Sequence, residues 1–205
     1  VWMRARHCCQ LCVCKEHHYP LPVLCLIIIC MYIMNLSSWN LMFTISAKQA
    51  LLPSGWSTNV QVSVDHVGRI IDVRNDFTAK SDYDVGILLP APVNVHSHAF
   101  QRAMAGLTER RGPNQTDSFW TWRDLMFRFL DQLTPEHVEA ITAFVQMEML
   151  EAGYATNVEF HYLHHQPGGK PYDRLGELSE RVAAASIASG IGLTLLPVQY
   201  QYGGC

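Results

Sequence analysis

The chain has 205 residues and a formal net charge of −3 at neutral pH. Without an excess of basic residues it has no broad positive field, so neither nucleic acid nor an anionic membrane surface is an expected partner. A small molecule is the expected partner instead.

Residues 1–41 differ in composition from the rest of the chain. An apolar stretch from Leu21 to Met34 follows Arg4, Arg6 and Lys15. It resembles a signal peptide or short anchor and is shorter than the roughly twenty residues that span a bilayer. We interpret residues 1–41 as an extension outside the folded domains, which begin near residue 42. A non-catalytic, membrane-anchored protein organised by the apolar stretch is the alternative.

The cysteines are concentrated in this extension. A secreted domain stapled by disulfides would carry them throughout its core, so the body of the protein is expected to be reduced and cytoplasmic. The spacing of the first few cysteines and the nearby histidines fits no ordinary zinc finger. Six of the seven cysteines lie in residues 1–41: Cys8, Cys9, Cys12, Cys14, Cys25 and Cys30.

The stretch from residue 42 to 84 carries a β-hairpin pattern. Val60, Val62 and Val64 alternate with polar residues, and Gly68 leads into a second apolar run. Alternation followed by a glycine-containing turn and a second apolar run predicts a half-buried hairpin. The polar residues 75–84 predict a loop.

Two histidines stand at the centre of the chain, in the sequence Val-Asn-Val-His-Ser-His-Ala-Phe-Gln at residues 93–101. They follow an apolar run, Val85 to Leu89, and a Pro-Ala-Pro break. Because side chains alternate along a strand, His96 and His98 project to the same side and can bind one ion. A catalytic zinc takes about three protein ligands and leaves one position for water. The motif therefore predicts part of a metal site.

A long connection follows, from Ala103 to Leu133. It contains glycines, a proline and an aromatic block, and we predict a loop of the kind that carries functional residues. Arg123 closes the aromatic block. Its planar guanidinium is suited to bind a carboxylate through two hydrogen bonds, so Arg123 is a candidate for substrate recognition.

Helix and strand signals alternate in the last third of the chain. Thr134-Pro135-Glu136 has the composition of a helix start, and Gly153 predicts the helix end. Residues 155–162 predict a strand, residues 175–189 a second amphipathic helix and residues 191–198 another strand. With the histidine strand, this order predicts parallel βαβ units.

Four ordered blocks resemble the formiminoglutamate (formimidoylglutamate) deiminases of the amidohydrolase superfamily. The resemblance runs from about Met42 to Cys205. It implies an α/β fold in which residues 42–84 form part of a small β-sandwich domain, and residues 85–205 form the first three strands of an amidohydrolase (β/α)8 TIM barrel. Because such a barrel has about 250 residues, a truncated, poorly folding N-terminal part is expected. The blocks are residues 93–107, 118–123, 148–154 and 159–165.

The resemblance implies hydrolytic deamination of N-formimino-L-glutamate to N-formyl-L-glutamate and ammonia, in histidine degradation. One divalent ion, usually zinc, lowers the pKa of bound water to about 7 in such enzymes. His96 and His98 carry over as metal ligands, and Gln101, Arg123 and Tyr162 as substrate-binding residues. The other ligands and the acid–base residues are expected beyond this chain, which should therefore be inactive alone.

Several interpretations remain open beside this one. Another amidohydrolase deaminase, acting on guanine or a triazine, would share the histidine pair. A homodimer of the whole enzyme is compatible with the resemblance. His161, His164 and His165 form a histidine-rich cluster. The resembled family does not use these positions as ligands, so we interpret them as structural or as supporting the ligands.

Overall fold

The computed structural model describes residues 11–14, 42–76, 80–109 and 117–200. The apolar stretch Leu21 to Met34, on which the membrane-anchor alternative depends, lies outside these residues. Within the described part of the chain, no helix combines the length and apolar character needed to cross a membrane. Residues 11–14 form a strand that pairs within the larger sheet, contrary to their predicted place outside the folded domains. The assignment of the other residues of 1–41 as an extension stays a prediction.

The chain divides into two compact units. The first contains the larger sheet, and the second contains the histidine motif and most of the helical residues. The first unit comprises Val1–Asn94, Glu148–Thr156 and Gly190–Gly192, and the second Val95–Met147, Asn157–Ser189 and Leu193–Cys205.

The first unit contains a five-stranded sheet with the strand order β1-β5-β2-β3-β4. Strand β2 pairs parallel with β5, and the other neighbours are antiparallel. Strand β5 starts at Tyr83, inside the segment that was predicted as a polar loop. It continues past residue 84, after which we predicted a domain boundary. The position of that boundary stays a prediction. The strands are β1 (Leu11–Cys14), β2 (Phe43–Leu52), β3 (Gly55–Val64), β4 (Ile70–Arg74) and β5 (Tyr83–Pro90).

The predicted hairpin is confirmed as the β3–β4 pair. Gly68 adopts a positive φ of 81°, which a residue with a side chain rarely tolerates. The carboxylate of Asp65 closes the turn by accepting the backbone N–H groups of Val67 (3.0 Å) and Arg69 (2.8 Å). The alternating valines of β3 form the core of this unit with residues of β2 and β5.

Val62 tests how much this core stabilises the fold. It is 1% exposed, whereas Val73, its cross-strand partner on β4, is 42% exposed. We expect Val62→Ala to lower the free energy of unfolding of the whole protein by about 2 kcal/mol, because it removes buried methyl groups and leaves a cavity. Val73→Ala, the matched control, should cost less than about 1 kcal/mol. Urea unfolding measures both, and equal losses would contradict the difference in burial between the two side chains.

The histidine motif lies in a three-stranded sheet with the order β6-β7-β8. The predicted helices and strands of the last third are confirmed, with ends shifted by one or two residues. Backbone hydrogen bonds join Gly192 N to Ala155 O (2.9 Å) and Val198 N to His161 O (2.8 Å), so β7 and β8 run parallel. The elements are β6 (Val93–Ser97), a 3₁₀ helix (Ala99–Met104), α1 (Phe119–Leu130), α2 (Pro135–Glu151), β7 (Thr156–His161), α3 (Glu177–Ser189) and β8 (Gly192–Pro197).

The prediction of a loop from Ala103 to Leu133 is wrong for residues 119–130, which form helix α1. The backbone N–H of Ser118 donates to the Thr121 hydroxyl (3.0 Å), which stabilises the first turn. Met126 is buried in the core of the second unit, and Leu130 packs against the same cluster one turn later. Helical spacing of apolar side chains therefore outweighs the glycine and proline signals upstream.

Candidate metal centre

The two histidines of the motif converge at the end of β6. His96 lies on the strand, and His98 is the first residue after it. Their Nε2 atoms are 3.1 Å apart, and their ring planes are nearly perpendicular at 87°. The predicted same-side projection therefore brings two ring nitrogens to one point.

A backbone carbonyl fixes the orientation of the second histidine. The Nδ1 atom of His98 lies 2.8 Å from the carbonyl oxygen of Phe160 on β7. Because a carbonyl oxygen only accepts hydrogen bonds, Nδ1 carries the proton and Nε2 keeps its lone pair. Burial lowers the pKa of His98, an effect that this hydrogen bond partly opposes and the charge of His96 reinforces. Burial therefore favours the neutral imidazole that binds metal ions, and the carbonyl selects the tautomer in which Nε2 carries the lone pair.

The geometry of the pair fits a single zinc ion. Two nitrogens bound to one zinc at 2.0–2.1 Å with a tetrahedral angle lie about 3.4 Å apart. The observed 3.1 Å between the two Nε2 atoms is close to that spacing. Within the described residues, no group of three or more His, Cys, Asp or Glu side chains is arranged to hold an ion. The described part of the chain therefore offers two ligands, and a complete site needs others.

Two predicted substrate-binding residues meet beside the histidines. The Nε2 atom of Gln101 donates to the hydroxyl oxygen of Tyr162 (3.2 Å), and that hydroxyl lies 3.7 Å from the Met126 sulfur. The Tyr162 ring packs edge-on against His98, with centroids 5.1 Å apart. Burial raises the pKa of Tyr162, and the hydrogen bond from Gln101 opposes this shift. The Tyr162 hydroxyl is therefore a neutral hydrogen-bonding group next to the histidine pair.

Arg123, the third predicted substrate-binding residue, lies on α1. Its guanidinium stacks over the Phe127 ring, 5.0 Å from the centroid. Its positive charge lowers the pKa of Tyr162, a smaller effect than that of burial. Arg123 therefore adds positive potential on the side of the site where Gln101 and Tyr162 lie.

The histidine-rich cluster occupies different surroundings. His161 is 3% exposed and packs edge-on against His164, with ring centroids 5.4 Å apart. Burial lowers the pKa of His161 to about 4. The Nε2 atom of His164 contacts the carbonyl oxygen of Val198 at 2.7 Å, while His165 is exposed. These contacts agree with the interpretation of the cluster as structural.

Sequence reasoning missed one buried group near the pair, the carboxylate of Glu159. It is 2% exposed, and its Oε1 atom accepts the backbone N–H of Ala99 at 2.6 Å. A signal was present in the sequence, since Glu159 stands between Val158 and Phe160 in a strand where alternation places it on one face with Asn157 and His161. Acidic side chains are almost never fully buried unless they are paired, so such a position indicates a specific partner.

Comparison with known proteins agrees with this picture. Residues 42–84 match the family model described as formimidoylglutamate deiminase HutF, N-terminal domain. The chain is 49% identical over 164 residues to formimidoylglutamate deiminase of Pseudomonas aeruginosa, covering 80% of this chain and 36% of the relative. It is 32% identical over 83 residues to 8-oxoguanine deaminase of the same organism, covering 40% of this chain and 17% of that relative.

A solved structure supports the same assignment. The crystal structure of an amidohydrolase from Brucella melitensis superposes with a TM-score of 0.71 at 46% identity, covering 76% of this chain and 34% of the other. The fold thus defines the N-terminal part of an amidohydrolase. Within that class the chain is similar to the formimidoylglutamate deiminases, as its sequence blocks predicted. The chain spans about a third of the length of these relatives: 36% of the Pseudomonas aeruginosa enzyme and 34% of the Brucella melitensis amidohydrolase.

Proposed function

We propose that the whole protein is a formimidoylglutamate deiminase. It hydrolyses N-formimino-L-glutamate to N-formyl-L-glutamate and ammonia, breaking the terminal C–N bond and placing the oxygen of water on the same carbon. It uses one divalent ion, zinc, and acts in the cytoplasm, and it forms a homodimer. The relative that supports this proposal most strongly is the 49% identical Pseudomonas aeruginosa enzyme.

The observation that carries the proposal is the convergence of His96 and His98. Their Nε2 atoms are 3.1 Å apart, and the Phe160 carbonyl leaves the Nε2 lone pair of His98 free of a proton. A bound divalent ion would supply the positive charge that lowers the pKa of a water molecule into the neutral range. This chain would contribute two of its ligands, held in position before the ion binds.

The neighbouring polar residues account for the choice of substrate. N-formimino-L-glutamate carries two carboxylates, which are costly to desolvate without cationic or hydrogen-bonding partners. Arg123 supplies a guanidinium suited to a carboxylate, and Gln101 and Tyr162 supply an amide and a hydroxyl that already contact each other at 3.2 Å. These three residues would bind and orient the substrate while the histidines hold the ion.

A second candidate function is deamination of a purine. It is favoured by the 32% identity to an 8-oxoguanine deaminase, but that match covers only 83 residues. A neutral purine ring needs no guanidinium for a carboxylate, so this alternative gives Arg123 no role. The longer and closer match to the formimidoylglutamate deiminase favours the first proposal.

An activity panel tests the proposal. The purified whole protein, loaded with zinc, is incubated with N-formimino-L-glutamate, guanine, 8-oxoguanine and a chlorinated triazine. Ammonia release and the mass of the product are measured for each compound. We expect ammonia and N-formyl-L-glutamate from the first compound, loss of activity after chelation and recovery on addition of zinc. Turnover of a purine or triazine in its place would contradict the proposal.

Tyr162 provides a further test within the substrate site. We expect Tyr162→Phe to lower kcat/KM for N-formimino-L-glutamate by about 5- to 100-fold, because the Gln101 amide loses its acceptor and the substrate loses a hydroxyl. Tyr172→Phe is the matched control, since Tyr172 packs against the same apolar core at its edge. Steady-state kinetics measure both variants, and equal effects would show that Tyr162 acts only through packing.

A further inference from the structure

A buried carboxylate joins the two strands of the candidate metal centre. The Oε1 atom of Glu159 on β7 accepts the backbone N–H of Ala99 at 2.6 Å, and its Oε2 atom accepts the side-chain amide of Asn157 at 3.3 Å. The Ser97 side chain also interacts with this carboxylate and lowers its pKa. Ser97 and Ala99 are the two residues that flank His98.

The next residue of β7 holds the histidine itself. The carbonyl oxygen of Phe160 contacts Nδ1 of His98 at 2.8 Å. Two consecutive residues, Glu159 and Phe160, therefore hold both the backbone around His98 and its ring. The backbone bends here from strand β6 into the 3₁₀ helix, so the direction of the ring depends on where this bend is held.

An acidic side chain in this place is expensive unless it has a specific use. Glu159 is 2% exposed, and burial raises its pKa, while the hydrogen bonds from Ala99, Ser97 and Asn157 lower it. An apolar residue of similar size would fill the same volume without that desolvation cost. It would leave the N–H of Ala99 without this acceptor at the bend that presents His98.

We propose that Glu159 is a positioning residue for the metal site: its carboxylate fixes the bend at Ser97 and Ala99, and thereby the direction in which His98 presents Nε2 to the ion. The inference rests on the proposed function, because such positioning matters only if the histidine pair binds a metal. Groups that hold metal ligands in this way typically change metal affinity by 10- to 100-fold when they are removed.

Two variants of Glu159 separate acceptor geometry from charge. Glu159→Ala removes the acceptor for Ala99. Glu159→Gln keeps an amide oxygen for the same N–H, and the added NH₂ can be accommodated if Asn157 turns its amide. The Asn157 Oδ1 atom is buried with no hydrogen-bond partner in the described part of the chain, so it can serve as the acceptor for that NH₂.

Gln146→Ala supplies a control for general loss of stability. Gln146 lies on α2, is 0% exposed, and its amide oxygen accepts the Ser189 hydroxyl at 2.9 Å. This bond joins α2 to α3 and involves none of the groups that hold the bend at His98. Its loss should therefore lower stability without altering the direction of the histidine rings.

The test measures zinc affinity of the whole protein by competition with a chromogenic chelator, and the visible absorption bands of the Co²⁺-substituted protein. We expect Glu159→Ala to weaken zinc binding by about 10- to 100-fold and to shift the Co²⁺ bands. Glu159→Gln and Gln146→Ala should stay close to the wild type in both measurements.

The inference is overturned if Glu159→Ala keeps the wild-type affinity and Co²⁺ spectrum. It is also overturned if Gln146→Ala weakens zinc binding as much as Glu159→Ala does. In both cases a wild-type protein that binds zinc and releases ammonia leaves the proposed function standing. If the wild-type protein neither binds zinc nor releases ammonia, the proposed function is wrong, and the positioning role that rests on it is wrong as well.

Discussion

Replacing either His96 or His98 with alanine is expected to abolish deamination by the whole protein and to weaken its zinc affinity by more than about 100-fold. Each substitution removes one of the two Nε2 atoms that converge at 3.1 Å. The loss of affinity should be this large because removing a group that only supports a ligand already weakens metal binding by 10- to 100-fold. Metal content by mass spectrometry and ammonia release are the measurements. Retained zinc and activity in either variant would contradict the assignment of the metal site and the proposed function that depends on it.

His165 supplies the matched control for this pair. It is exposed and lies beyond the end of β7, where its backbone forms an isolated bridge with Pro171. His165→Ala should therefore keep both zinc and activity.

The two site variants, His96→Ala and His98→Ala, should also differ from each other in stability. His98 is half-buried and packs against the rings of Phe160 and Tyr162, whereas His96 is exposed and has a tilted contact with Phe160, so His98→Ala should unfold at lower denaturant.

The second large effect is a dependence of stability on pH that originates at His161. Burial lowers the pKa of this imidazole from its ordinary value of 6.5 to about 4. Between these values the unfolded chain binds a proton that the folded chain does not bind, so folding loses free energy as the pH falls. At about 1.4 kcal/mol per pKa unit, we expect His161 to remove about 3 kcal/mol of stability between pH 7 and pH 4.

Denaturant unfolding at several pH values measures this contribution. In His161→Gln the side chain does not titrate, so the free energy of unfolding should fall less steeply towards acid than in the wild type. Gln146→Ala removes a buried polar group that also does not titrate, and its loss should be similar at every pH. Parallel wild-type and His161→Gln curves would show that the imidazole is accessible to protons in the folded protein.

Local chemistry was sufficient to predict much of the fold. The alternation of Val60, Val62 and Val64 around a glycine turn defines a hairpin whose partners are neighbours in sequence. The Thr-Pro-Glu start of α2 and Gly153 after its end are signals that depend only on the adjacent backbone. Such elements are predictable because the atoms that stabilise them lie within a few residues of each other.

The parts that sequence reasoning missed depend on distant contacts or on competing signals. Glu159 acts on Ala99 across 60 positions of the chain, and no local pattern states that the two meet. For α1, the apolar spacing was present, but the glycines and the proline upstream pointed to a loop. The histidine motif was recognisable in advance, whereas the carbonyl that orients His98 was not, since only the pairing of β6 with β7 brings it there.

That carbonyl makes the site tolerant of one kind of mutation and vulnerable to another. Every amino acid carries a carbonyl oxygen, so substitutions at Phe160 leave the proton on Nδ1 of His98 where it is, provided that the strand remains in place. An insertion or deletion that slips β7 by one residue would instead move the Phe160 carbonyl away from the ring and turn the side chains of β7 to the opposite face of the sheet. The position of the proton on His98 therefore depends on the register between β6 and β7. Small insertions or deletions in β7 should lower metal binding more than substitutions at residue 160.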